Sequence, residues 1–201
     1  MKTMYLARHG ETTWNSEGRL QGMQEAPLSE RGVAQTLETV RYLSGIPFQL
    51  VLTSPLQRTR AIADPVAQHL GLTPTVVSDL QEIDFGSWEA HTWPEIKAAH
   101  PDTVHAWGLR SMSARPEGGE SLAEVVTRAR RVRSLLESTP ATPVLVVSHG
   151  AFSRVLIPVL LNLGASSGGE FDLPNGSVSV FTLETTGWET SVIGRTDHLT
   201  R

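Results

Sequence analysis

The chain reads as an α/β domain built on a mainly parallel sheet. Three features predict this. Strand-like and helix-like segments alternate along its 201 residues, the order expected of β-α-β units. Residues 144–147 are apolar at every position, as in a strand covered on both faces. Neither an internal repeat nor a low-complexity linker interrupts the pattern, so residues 1–201 are expected to form a single domain with a substantial core.

Residues 4–8 read as the first strand and 9–28 as a polar, glycine-bearing loop. Ser29 is a good helix N-cap, because its hydroxyl can accept from a first-turn amide. Val33, Leu37, Val40 and Leu43 then recur at helical spacing and predict the buried face; Gly45 and Pro47 end the helix. A compact apolar strand follows at 48–53, with Ser54 as N-cap and Pro55 as first residue of the next helix. That helix carries Leu56, Ile62, Val66 and Leu70 as far as Gly71. Pro65 lies inside it and lacks an amide hydrogen, which predicts a kink or a restart capped by Asp64. Residues 75–78 form a short strand.

The stretch 87–117 holds Trp88, Trp93, Trp107, His91, His100 and His105 among several prolines. It reads as an irregular, cap-like excursion over the sheet edge. Ser121 and Glu124 have capping-box spacing. Leu122, Val125, Val126, Ala129, Val132 and Leu136 then mark one apolar helix face, with Arg128, Arg130, Arg131 and Arg133 as a solvated face. The strand at 144–147 leads through Ser148-His149-Gly150 into a helix at about 152–163. Two final strands are expected at 178–183 and 188–193.

Composition narrows the function classes. With no cysteine, a disulfide framework, a thiolate zinc site and a cysteine nucleophile are all excluded. The amino end reaches Arg8 and His9 before a long apolar run develops, so it does not read as a signal peptide. No later stretch is apolar enough to cross a bilayer, and the expected compartment is the cytosol. The net charge of -4 weakly repels nucleic acid and anionic membranes, so neither is an expected partner. An anionic ligand must be caught by a local cationic pocket. The three histidines of 87–117 lack His-Glu-x-x-His spacing, and no phosphate-binding Gly-x-x-x-x-Gly-Lys loop is present. No metal or cofactor is expected.

Three chemical motifs fall at the carboxyl ends of predicted strands: Arg8-His9-Gly10, Ser54 through Arg58, and Ser148-His149-Gly150. Ligands bind at that edge of open α/β sheets, where following helices aim their amides. Two histidines and two arginines converging there form an anion pocket that contains a nucleophile. A neutral imidazole attacks phosphorus in line when its other nitrogen is fixed as a donor. Arg8 and Arg58 can each offer paired N–H groups to the equatorial oxygens, and His149, if protonated, adds a third cation. Such a set neutralises a phosphoryl group without magnesium. Proton transfer to the leaving oxygen calls for a carboxyl group, with Glu82, Asp84 and Glu89 as candidates. Ser148 reads as part of the site wall, since no Gly-x-Ser-x-Gly elbow surrounds it.

The motifs resemble those of the histidine phosphatase superfamily, in its phosphoglycerate-mutase-like branch. The matching residues are Arg8-His9-Gly10-Glu11-Thr12 with Asn15, Gly18-Arg19 and Gln21-Gly22; Pro27-Leu28-Ser29 with Gly32; Ser54-Pro55-Leu56 through Arg58; Glu82 through Glu89; Gly119-Glu120-Ser121; Ser148-His149-Gly150; and Asn175-Gly176-Ser177. The resemblance implies a three-layer α/β/α sandwich with one antiparallel strand. It implies phosphorylation of His9, with Arg8, Arg58, His149 and Gly150 around the phosphate. It selects Glu82 as acid and base, and places Asn15 and Gln21 at the pocket rim. Ala90, Glu25 and the Ala61-Ile62-Pro65 stretch depart from the usual pattern without removing a catalytic side chain.

The expectation is therefore a metal-independent phosphatase acting on small phosphate monoesters, as monomer or homodimer. A phosphoglycerate-mutase-type transfer is the alternative, disfavoured because the resembling mutases are usually longer. A catalytically dead phospho-ligand module is a second alternative. Substrate choice is expected to lie in loops 10–28, 87–117 and 164–177.

Overall fold

The computed structural model describes residues 1–164 and 170–200. One sheet contains β1 (Lys2–Arg8), β2 (Leu50–Thr53), β3 (Thr75–Val76), β4 (Val144–Ser148), β5 (Val178–Glu184) and β6 (Gly187–Arg195), in the order β3-β2-β4-β1-β5-β6. β1 to β4 run parallel, and β5 alone runs against its two neighbours. The helices are α1 (Thr13–Ser16), α2 (Glu30–Ser44), α3 (Gln57–His69), α4 (Trp93–Ala99), α5 (Pro101–Gly108), α6 (Leu122–Ser138) and α7 (Gly150–Leu160).

Alternation along the central strand divides the core in two. Val144 and Val146 pack with Val125, Ala129, Phe152 and Leu156 on one face. Leu145 and Val147 pack with Ala7, Val51, Ile62 and Val66 on the other. Every residue of β4 is buried, as its uniform apolarity predicts. The product is a three-layer α/β/α sandwich. β1 and β4 lie side by side, with Arg8 in register with Ser148, so His9 and His149 leave the same sheet edge.

Four expectations are corrected. The α2 face is rotated: Val33 and Leu37 are 47% and 61% exposed, while Gly32, Gln35, Thr36, Thr39 and Leu43 are buried. The first half of α2 meets polar backbone, whereas Leu43, with Val40 beside it, joins the apolar core as expected. Gln35 Oε1 accepts from Glu11 N at 2.9 Å and Thr39 Oγ1 donates to Gly176 O at 3.1 Å. A Cβ on Gly32 would overlap the Glu11 backbone, so that close approach needs glycine.

The restart capped by Asp64 does not occur: α3 runs through Pro65, and Asp64 instead pairs with Arg60 at 2.6 Å. The stretch 87–117 is ordered by α4, whose N-cap Thr92 and Glu95 form a capping box, and by α5. Trp88 sits with Trp93 and Trp107 at centroid separations of 5.9 and 5.8 Å in edge-on contacts. Finally, Arg128 is not part of a solvated face: it is 7% exposed beneath α6. Smaller differences are a short α1 within the 9–28 loop and a third helix that begins at Gln57, not at Pro55.

Candidate active site

His9 follows β1 directly and is 3% exposed. Its Nδ1 lies 2.7 Å from Gly10 O. A carbonyl only accepts, so Nδ1 carries the hydrogen and the Nε2 lone pair is left free. Burial, then the Arg8 and Arg58 guanidinium groups, push this imidazole well below its ordinary pKa. The ring is therefore neutral near pH 7. A second loop braces it from behind, where Gly176 N donates to His9 O at 3.0 Å and Asn175 Nδ2 does so at 3.3 Å. His198 in turn donates to Gly176 O at 3.0 Å while stacking on Tyr42 at 4.8 Å.

His149 ends the turn after β4 and is fully buried, 5.3 Å from His9 between ring centroids. Its Nδ1 accepts from Arg58 Nε at 3.2 Å and its Nε2 faces Ser54 Oγ at 2.8 Å. A ring accepting on Nδ1 holds its hydrogen on Nε2, so His149 is neutral and donates to Ser54. Burial and then Arg58 push its pKa well down. The conditional reading of His149 as a third cation does not describe this state. The sequence also left the Ser54 partnership unread, because it is made across 95 positions.

Arg58 gives Nη1 to Gln24 O at 2.7 Å and Nη2 to Gly22 O at 2.6 Å, with Glu25 at 3.5 Å. Most of its donors thus fasten the 22–25 loop, so it does not present a free fork. Arg8 is different. Its Nη1 donates to Leu173 O at 2.6 Å, while Nε is buried and has no partner among the described residues. A buried, unpaired guanidinium N–H is costly unless an anionic oxygen meets it. Burial, as the largest cause, lowers the Arg8 pKa to about 10, which leaves it cationic at neutral pH. Gly150 is the surface it lies on: a Cβ there would come within 2.9 Å of Arg8 Cζ.

Glu82 is 8% exposed and faces both arginines. Its Oε1 accepts from Phe152 N at 2.7 Å and Ile83 N at 2.9 Å, and its Oε2 from Ala151 N at 3.0 Å. The carboxyl group thus lies against the first amides of α7. Arg128 fixes it from below, donating to Glu82 O at 3.1 Å and to both oxygens of Glu120 at 2.8 Å. The sequence did hold a signal for this, because 128 is three residues after Val125 and four before Val132 on the apolar stripe. Asp84 accepts from Gly86 N, and Glu89 accepts from Met23 N at 2.8 Å; both carboxylates tie loops.

Asn15 shares a capping box with Thr12 and its Oδ1 accepts from Asn175 Nδ2 at 3.0 Å. Its own amide hydrogens have no partner among the described residues. Gln21 lies beneath the rim at 6% exposure, against Thr12 Oγ1 at 2.9 Å. With its amide in the satisfied orientation it also accepts from Ala26 N at 3.0 Å and Arg58 Nη1 at 3.2 Å. It fastens Arg58. Ser148 Oγ donates to Leu80 O at 2.8 Å. Of the 164–177 loop, residues 165–169 lie outside the described residues.

The sequence model of the histidine phosphatase superfamily (branch 1) matches residues 4–196. A protein named probable phosphoglycerate mutase GpmB, from Cronobacter sakazakii, is 30% identical across 99% of this chain and 95% of its own length. Among solved structures, the alpha-ribazole phosphatase of Shigella flexneri superposes with a TM-score of 0.86 at 28% identity, covering 96% of each chain. A mycobacterial glucosyl-3-phosphoglycerate phosphatase complexed with VO3 gives 0.85 at 28% identity, covering 98% of this chain and 100% of that one.

Proposed function

The chain belongs to the histidine phosphatase superfamily, branch 1, and we propose that it hydrolyses small phosphate monoesters through a phosphohistidine on His9. The observation that carries this reading is the His9 tautomer. Nδ1 is committed to Gly10 O, so a neutral ring that feels both arginine charges has its Nε2 lone pair free. Nε2 attacks phosphorus while Arg8 Nε and the remaining Arg58 donor take up the equatorial charge. Gly150 keeps Arg8 flat, and the free Asn15 amide adds a neutral donor. Glu82 Oε2, holding a single N–H bond, gives a proton to the departing oxygen. It then takes one from the water that attacks the phosphoenzyme, returning His9 to its starting state.

The 95% coverage of the relative that bears a mutase name favours a second reading, transfer to a second hydroxyl instead of to water. Length does not separate the two, because that relative is nearly as short as this chain. Phosphate release from p-nitrophenyl phosphate in EDTA, run beside phosphoglycerate isomerisation, decides between them. The expected result is release that outpaces isomerisation, an acid-labile and base-stable phosphoryl group on quenched enzyme, and no turnover by His9→Ala. Isomerisation far faster than release would reverse the order of the two readings.

A further inference from the structure

The Asn175-Gly176-Ser177 loop carries the β1–β5 ladder past its end and takes hold of the nucleophile's backbone. Arg8 N donates to Ser177 O at 3.0 Å, Gly176 N donates to His9 O at 3.0 Å, and Asn175 Nδ2 reaches the same carbonyl at 3.3 Å. The direction of the His9 ring depends on this backbone, because Nδ1 is bound to the neighbouring Gly10 O. Yet the loop turns on a glycine. Gly176 has φ 73°, a left-handed value, and lacks the Cβ that would restrain it. Such a hinge has to be held from outside.

The hold comes from α2 and from residues 196–200, which follow β6. Gly176 O accepts from Thr39 Oγ1 at 3.1 Å and from His198 Nε2 at 3.0 Å, so both lone pairs of that carbonyl are filled. A carbonyl only accepts, so Nε2 carries the His198 hydrogen. Nδ1 is buried with no partner among the described residues, and a second proton there would meet no acceptor. The ring lies on Tyr42, 17° from parallel at 4.8 Å. Leu199 closes the space over the hinge: a Cβ on Gly176 would stand 3.3 Å from Leu199 Cδ1, Gln35 Cβ and Thr39 Oγ1. The segment is pinned in turn by a bond from Leu199 N to Thr196 O at 2.9 Å. Glu38 pins it again, accepting from Thr200 N at 3.0 Å and from the Thr200 hydroxyl.

We infer that His198 is a positioning residue for the phosphoryl transfer, fixing through Gly176 O the backbone that aims His9. This rests on the phosphatase reading above and names a group on which its first step depends. Without the His198 donor, Gly176 O keeps Thr39 alone and the hinge is free to turn. One such hydrogen bond is modest in energy, but a nucleophile held slightly out of line loses rate steeply.

The test is single-turnover release of p-nitrophenol, with enzyme in excess over p-nitrophenyl phosphate. This leaving group departs readily without a proton, so the maximal rate reads His9 attack, and the half-saturating enzyme concentration reads binding. His198→Phe keeps a ring on Tyr42 and removes the donor. Its maximal rate should fall about tenfold, with half-saturation within about twofold of wild type. His198→Gln, whose amide restores an N–H at similar reach, should recover most of that rate. Glu38→Ala releases Thr200 from a helix position that accepts alanine, and should slow release about threefold. Thermal melts establish that each variant is folded at the assay temperature. Wild-type release by His198→Phe overturns the inference, as does a folded His198→Gln that is no faster than His198→Phe. If His198→Phe does not fold, Glu38→Ala decides, and a wild-type rate there overturns the positioning role. A wild-type enzyme that releases no p-nitrophenol overturns the phosphatase reading and this assignment with it.

Discussion

Replacing Gly150 by alanine tests the site without touching a charged group. The φ at this position is an ordinary one, so the backbone tolerates the change. The new methyl would stand 2.9 Å from Arg8 Cζ and 3.0 Å from Nε, where carbon atoms settle about 3.5–4.0 Å apart. Arg8 must withdraw by about 0.6–1 Å. It cannot yield freely, because Leu173 O holds Nη1 at 2.6 Å on its other side. Displacements of about 1 Å in a catalytic group lower rates by about a hundredfold, and overpacking a buried site costs about 1–3 kcal/mol. Steady-state kinetics on p-nitrophenyl phosphate should thus show kcat reduced by about ten- to a hundredfold, with a lower melting temperature. Gly45→Ala is the control, since its nearest neighbour is 3.5 Å away. A Gly150→Ala enzyme with wild-type kcat would show that Arg8 need not lie against the start of α7.

Two further outcomes follow from buried charge and proton balance. His9 and His149 are neutral in the fold but titrate near pH 6.5 when unfolded, so the unfolded chain binds more protons below that pH. Stability should fall as pH drops from about 6.5, by up to about 2.7 kcal/mol per pH unit for the pair. Urea melts at pH 7.5 and 5.5 measure the slope, and an equal slope in His9→Gln/His149→Gln would refute this origin. Arg128→Met leaves Glu120 without its buried partner and removes a donor to Glu82 O. We expect about 3–5 kcal/mol of lost stability and a lower kcat, checked by urea titration beside kinetics.

The elements legible in the sequence were those whose partners are apolar layers or their own caps. The uniformly apolar β4 and the Ser121 capping box of α6 appear where periodicity and spacing put them. Val40 and Leu43 of α2 reach the core, but Val33 and Leu37 were misread because Gly32, Gln35 and Thr39 meet the backbones of residues 11 and 176, and backbone contact leaves no hydrophobic signature. Helices α4 and α5 were missed for a related reason. Each begins near a proline that reads as a breaker but serves in the first turn, where an amide hydrogen is dispensable. For the site, sheet-edge logic brought His9, Arg58 and His149 together correctly. What it could not supply was how donors are divided. That Gln21 and the 22–25 carbonyls absorb Arg58, and that His149 gives its hydrogen to Ser54, depends on ångström-scale packing between distant segments.

The place of β1 in the sheet bears on when this molecule becomes competent. β1 precedes the other strands of this sheet in the chain yet is flanked by β4 and β5, so Met4 waits for Val144 and Phe181 before it has a ladder on either side. Long-range pairing of this kind slows folding and leaves intermediates with open edges. The turn that bears His9 is consequently translated before the two strands that secure it, and a chain halted before β4 carries His9 on a strand with neither neighbour.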